Sequence, residues 1–324
     1  MRPAPERQGP RVVALGGGHG LAVSLTALRR VTDALTAVVT VADDGGSSGR
    51  LRRDLGVLPP GDLRMALAAL CGDDEWGATW SRVVQHRFRA AGDLHNHAVG
   101  NVLIVALWEL LDDPVAGLDW VGRLLGARGR VLPMASVPLD ITAAVAGLDP
   151  AVPDQITAVR GQFAVATTRG RVVNIGLLPP NPPACPEAVA AIREAEWVVL
   201  GPGSWFTSVL PHLLVPELAA ALCTTPAGRV VALNLAPQQG ETTGFSPQRH
   251  LEVLAEHAPD LRLDVVLADP AAVRDREALR KTAMSMGADL VLEPVALGDG
   301  TPRHDPRLLA AAYGRIFARG RIAP

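Results

Sequence analysis

A short, mostly apolar and β-branched run at residues 11–15 (RVVAL) stops at Gly16-Gly17-Gly18-His19-Gly20. The apolar residues that follow, Leu21, Leu25, Leu28 and Val31, fall at helical spacing, and a second strand-like run occupies 35–41. Strand, glycine turn, helix and strand in that order open a doubly wound α/β sheet. A tight strand-to-helix turn calls for glycine, and the N–H groups at the helix start have no partner within the helix. An anion can therefore approach this backbone closely. Gly16, Gly18 and Gly20 give GxGxG, with Leu21 where a dinucleotide fingerprint would place its last glycine.

The alternation returns later. Apolar strands are expected at 197–200, 229–233, 263–267 and 290–295, with helices at 187–195, 250–258, 271–286 and 306–318. Residues 62–125 read as helical with intervening loops. From 129 to 178 strands dominate (RVLPM, DITAAVAG, FAVATT, RVVNIGLL), and the proline-rich LLPPNPPACP leads on. The expected fold class is α/β, a Rossmann-like doubly wound and mostly parallel sheet with a helical insertion after the second strand. A flexible tail over 1–10 precedes one domain over 11–320.

The chemistry gathers at 40–64, TVADDGGSSGRLRRDLGVLPPGDLR. Asp43 and Asp44 stand at the end of the second strand, followed by the flexible GGSSG of 45–49, then Arg50, Arg52 and Arg53, then a second turn with Asp62 and Arg64. A solvated loop explains neither the tandem acids nor the repeated Gly-Asp-x-Arg chemistry, so the stretch reads as a binding site. The two aspartates suit either Mg²⁺ through oxygen ligands or direct bonds to ribose and base N–H groups. Arg50 and Arg64 suit phosphate. Asp62 is placed to cap the helix that follows it.

Other strand ends repeat the pattern. The strand at 197–200 runs into Gly201-Pro202-Gly203-Ser204-Trp205-Phe206-Thr207-Ser208, and 229–233 runs into Asn234. A nucleophile elbow would need glycine at 202 and 206, where Pro202 and Phe206 stand. The stretch reads instead as a second anion turn, or with Ser204 as a plain helix cap. In the loop before residue 101, His95 and His97 lack a third metal ligand nearby. His97 and Asn101 are expected to hydrogen-bond a ligand, and the alternative is a histidine that caps the helix.

A net charge of −2 gives no electrostatic footprint for nucleic acid. All but one of the 31 basic residues are arginine (Lys281 is the exception), so arginine richness is a habit of the whole chain. Cys71, Cys185 and Cys223 are isolated, which fits a reducing compartment. No apolar run approaches membrane-helix length, and the polar start lacks a signal-peptide core, so no membrane insertion is expected.

GGGHG, VADDGGSSGRLR, LPPGDLR, HAVGN, GPGSWFTSVLP, the GET and GF of GETTGF, and His304-Asp305 occur here in that order. Together they resemble the gluconeogenesis factor family (the YvcK type), which is similar in fold to 2-phospho-L-lactate transferase, the CofD enzyme. The resemblance runs from Arg11 to about Leu309. It implies a nucleotide or nucleotide-sugar ligand of the UDP-N-acetylglucosamine kind, a cytoplasmic homodimer, and a role in cell shape and wall synthesis during gluconeogenic growth. The alternative it implies is a CofD-type transfer of a nucleotide-derived phosphate group onto an acceptor hydroxyl, with Mg²⁺ as a candidate cofactor. It also implies nucleotide contact by Gly17, Gly18, His19, Gly20, Asp43, Asp44, Gly45, Gly46, Ser47, Asp62, Arg64, Asn101, Gly203, Ser204 and Asn234. Two residues depart from the family pattern: His19 stands in place of a common threonine and Asn96 in place of a glycine.

Overall fold

The apolar runs read from the sequence pair into one parallel sheet in the computed structural model, which describes residues 9–89, 91–238 and 240–320. In chain order the strands are β1 (Val12–Gly16), β2 (Leu35–Val39), β3 (Arg130–Pro133), β4 (Asp140–Ala146), β5 (Ile156–Arg160), β6 (Arg171–Leu178), β7 (Trp197–Leu200), β8 (Gly228–Ala232), β9 (Val265–Ala268) and β10 (Asp289–Leu292). The main sheet has seven strands in the order β10-β9-β8-β7-β1-β2-β3. Every residue of β1, β7, β8 and β9 is buried, as expected for parallel strands covered on both faces by helices. From β1 the order runs outward to β2 and β3 on one side, and through β7 to β10 on the other. The boundary between β1 and β7 is therefore the topological switch point, where such sheets open a crevice beyond their strand ends.

Helix α1 (Gly18–Leu28) follows β1. Between β2 and β3 stand α2 (Gly46–Leu55), α3 (Gly61–Leu70), α4 (Glu75–Gln85), α5 (Val99–Leu111) and α6 (Pro114–Leu125), the expected helical insertion. The remaining helices are α7 (Gln162–Ala166), α8 (Pro186–Glu194), α9 (Pro216–Thr224), α10 (Pro247–His257), α11 (Arg276–Ser285) and α12 (Pro306–Ala318). Helix α12 packs on α1, where the Ser24 and Tyr313 hydroxyls are hydrogen-bonded at 2.9 Å in the core. Side-chain caps set several helix starts: Ser246 before α10, Asp275 before α11 and Asp305 before α12.

Strands β4, β5 and β6 form a separate antiparallel sheet in the order β5-β4-β6. One face is apolar and buried through Ile141, Ala143, Val145, Val172, Ile175 and Leu177. Among the described residues no single helix is long and apolar enough to cross a membrane.

Three local expectations give way. GGSSG is not a flexible loop, because α2 begins inside it at Gly46 with Gly45 as its extended N-cap. The FAVATT run is not a strand: Gly161 turns the chain and α7 forms instead, while β5 takes up 156–160 just before it. Asp62 is not a cap, since α3 starts after Pro60 and Asp62 lies within its first turn, pointing elsewhere. The tail expected over 1–10 falls, for residues 1–8, outside the described residues, and the Pro10 carbonyl already accepts a hydrogen bond from the Thr32 hydroxyl.

Candidate functional site

At the switch point two turns meet. The first is the start of α1: Gly17 is its extended N-cap and Gly18 adopts φ +56°, which favours glycine. The helix thus begins within the glycine turn, and the N–H groups of its first residues face the strand ends. The second turn follows β7 and ends in one π turn, Trp205–Val209, whose Ser208 and Val209 N–H groups bond back to the Ser204 carbonyl at 2.8 and 3.0 Å. A Cβ on Gly20 would overlap the Pro202 carbonyl and lie 2.5 Å from the Gly203 Cα. Glycine at position 20 is therefore what allows the two turns to touch.

The second turn is held from β8. Asn234, just beyond that strand, accepts from the Gly203 N–H at 2.9 Å and donates to the Gly203 carbonyl at 2.8 Å, so its carboxamide clamps the turn. Gln238 donates to the Ser204 hydroxyl at 3.1 Å. Beneath lies Glu241, buried against the Ser204 and Thr207 hydroxyls and the Thr207 and Phe206 N–H groups. Burial raises its carboxyl above the usual range, and these donors oppose the rise.

Asp62 enters from α3. Its carboxylate bonds the Gly18 N–H, while Oδ2 is buried without a partner and lies 2.6 Å from where a Gly17 Cβ would stand. The same Cβ would lie 3.3 Å from Ser208 Oγ, so Gly17, Asp62 and Ser208 converge. Burial, then the negative charge of Asp43, pushes the Asp62 carboxyl up to about 7, against the pull of the Gly18 N–H and the Arg64 cation.

A cavity of about 690 Å³ covers this junction. Of the residues named from sequence, Gly17, Gly18, His19, Gly20, Asp62, Gly203, Ser204 and Asn234 line it. Asp43, Asp44, Gly45, Gly46, Ser47, Arg64 and Asn101 do not. Asp43 accepts from the Gly45 N–H at 3.0 Å and faces the start of α3, close to Asp62. Asp44 accepts from the Phe163 N–H at 3.1 Å, on the far side of the tandem pair. Ser47 is buried in a knot with the His97 Nδ1 at 3.1 Å and the Asn101 carboxamide donating at 3.0 Å. Arg64 is buried in α3 beside Gly100, its Nε without a partner. Arg50 is turned to the Asp93 and His95 carbonyls, fastening the loop rather than facing the cavity.

Sequence reasoning missed Gln162, Gln238, Arg303 and the place of His304 in the cavity wall. For His304 the His304-Asp305 motif is the sequence signal, and Gln162 stands just before FAVATT, whose composition predicts a strand.

Over residues 12–295 the chain matches the family model described as 2-phospho-L-lactate transferase CofD. A Mycobacterium tuberculosis protein, provisionally named a gluconeogenesis factor, is 55% identical over 311 residues, covering 95% of this chain and 90% of that one. The gluconeogenesis factor of Listeria monocytogenes is 35% identical over 317 residues, covering 94% of each. A crystal structure of a Bacillus halodurans protein of the UPF0052 family superposes with a TM-score of 0.83 at 30% identity, covering 94% of this chain and 99% of that one.

Proposed function

This chain belongs to the CofD family, and from that premise we propose that it is a nucleotide-sugar-binding protein of the gluconeogenesis factor type, taking UDP-N-acetylglucosamine or a close relative at the β1–β7 junction. The observation that carries the reading is the convergence of two helix-start turns, from β1 and β7, on one cavity with Asn234 and Gln238 from beyond β8. The start of α1 beyond the Gly18 N–H, together with the Ser208 hydroxyl at the cavity wall, suits a phosphate, and about 690 Å³ has room for a base and a sugar besides. In this reading the protein works in the cytoplasm as a homodimer and ties carbon supply to cell shape and wall synthesis. Calorimetric titration with UDP-N-acetylglucosamine, UDP and GDP tests it. Saturable binding of the UDP-sugar, lost in Gly18→Val while the fold persists, is the expected result. Equal, weak response to all three nucleotides would overturn it.

A second reading, phosphoryl-group transfer of the CofD type, is favoured by Asp62. A buried carboxyl poised at about 7 beside a phosphate turn suits proton transfer from an acceptor hydroxyl. The neighbouring Asp43 and Asp62 oxygens also suit a hard cation once phosphate oxygens complete the set, and a bound Mg²⁺ would supply charge neutralisation there. Incubation with labelled UDP-N-acetylglucosamine, with Mg²⁺ or with chelator, separates the readings. Labelled product lost in Asp62→Asn supports transfer, and tight binding without turnover supports the first reading.

A further inference from the structure

The second aspartate of the tandem pair does not line the cavity, and the geometry gives it another task. Asp44 Oδ1 accepts from the Phe163 N–H at 3.1 Å, the donation that a helix N-cap receives, although Asp44 is remote in sequence from α7. The residue in the capping position is Gly161, which has no side chain to cap with. Gly161 stands at φ +103°, and a Cβ there would run into Asp44 Oδ2, so the carboxylate occupies the space a cap would fill. The other side of the joint is braced as well. The Gly161 N–H donates to the Ile141 carbonyl at 2.8 Å, and Asp140 pairs with both Arg160 and Arg52 of α2. Helix α7 is thus fastened to the aspartate stretch by its first turn. The residue at that first turn, Gln162, is the one part of α7 that lines the cavity opened by the glycine turns. Its Oε1 has no hydrogen-bond partner.

We propose that Gln162 is a specificity-determining ligand contact, and that Asp44 is the residue that positions it. The proposal rests on the nucleotide-sugar reading above and deepens it by assigning the part of the ligand beyond the phosphates. A carboxamide offers one acceptor oxygen and two donors. A phosphate could use only the donors and would face the carbonyl oxygen unfavourably. A sugar hydroxyl or an N-acetyl amide, which both donates and accepts, uses both halves. In that reading the phosphates take the start of α1 and the Ser208 hydroxyl, while the N–H groups of the second turn are held by Asn234, Glu241 and the Ser204 carbonyl, so Gln162 is left for the sugar.

The test compares UDP-N-acetylglucosamine with UDP by calorimetry on wild type, Gln162→Ala, Asp44→Ala, Asp44→Asn and the Asp44→Ala/Gln162→Ala double variant. Hydrogen exchange of the α7 amides is followed in parallel. Loss of one hydrogen bond is expected to weaken the sugar nucleotide about tenfold in Gln162→Ala, with UDP itself little changed. Asp44→Ala should show the same selective loss together with faster exchange in α7. Asn keeps an acceptor oxygen in place, so Asp44→Asn should restore binding and slow exchange to near the wild-type pattern. The double variant should be no weaker than either single one. Asp44→Asn as damaging as Asp44→Ala would show that the charge acts directly and overturn the positioning role. Equal loss for UDP and the sugar nucleotide in Gln162→Ala would overturn the specificity role. Wild-type protein that binds neither nucleotide overturns the function proposed above, and with it the contact by Gln162, whereas α7 exchange still decides the part played by Asp44.

Discussion

Asp62 carries the charge conflict of the site, because a phosphate is expected beside a carboxyl whose titration falls near neutrality. Its protonated form is the better host for an anion, so nucleotide affinity is expected to fall as pH rises through about 7. In Asp62→Asn that fall should vanish, and titrations from pH 6 to 8.5 check it. The same shift acts on stability. The folded value lies above the ordinary 3.8, so its contribution is whole below about 3.8 and is lost as pH rises through about 7. At pH 8 the Asn variant should accordingly be more stable than wild type by about 2–4 kcal/mol, measured by urea unfolding. An Asn variant less stable than wild type at every pH would mean that the Gly18 N–H bond to the charged form dominates.

Between elements, the contact of one turn with the other decides what each glycine tolerates. Gly18 has open space around its missing side chain and only its positive φ to lose, so Gly18→Ala should cost roughly 1 kcal/mol. Gly20→Ala forces a methyl into the Pro202–Gly203 backbone and should cost at least about 2 kcal/mol, with larger losses of ligand binding. Thermal denaturation of the pair tests the order, and the reverse order would move the contact elsewhere. A second joint ties the β7 turn to the sheet: buried His212 bonds the Val38 carbonyl of β2 through Nε2 at 3.1 Å. Burial lowers its imidazole from the ordinary 6.5 to about 4. The stability this represents is whole above about 6.5 and is lost as pH falls through about 4, roughly 2–3 kcal/mol in all. This slope opposes that of Asp62 over part of the acid range. It should therefore be read from the difference between wild type and His212→Gln, which is expected to lack it.

For the whole molecule, a ligand that spans the turns after β1 and β7 and the segment beyond β8 joins the two halves of the sheet across its switch point. Ligand at 100 times its Kd should add about 2.7 kcal/mol to unfolding and raise a single thermal transition. Two transitions, with only one responding to ligand, would show that the halves unfold separately.

Much of this was legible in the sequence. The apolar runs that became β1, β2 and β7 to β10 could be read because strands buried on both faces must be apolar throughout, a local requirement. The glycine turn, the Gly203-Ser204 turn and Asn234 could be read because glycine and small polar residues at strand ends leave a local mark. What tertiary structure decided is the direction of side chains whose partners are remote. Asp44 reads from its neighbours as a ligand group, and only the fold shows that its Oδ1 accepts from the Phe163 N–H, more than a hundred residues away. FAVATT reads as a strand through Val165, Thr167 and Thr168, but α7 forms there because the acceptor for its first turn comes from Asp44, elsewhere in the chain. Asp62 looked like a cap because its neighbours are helical, and only the approach of α3 to the glycine turn buries it beside Asp43 and moves its titration towards neutrality. Period and composition are properties of a segment. Burial, and the pairing of charges across the fold, belong to the folded whole.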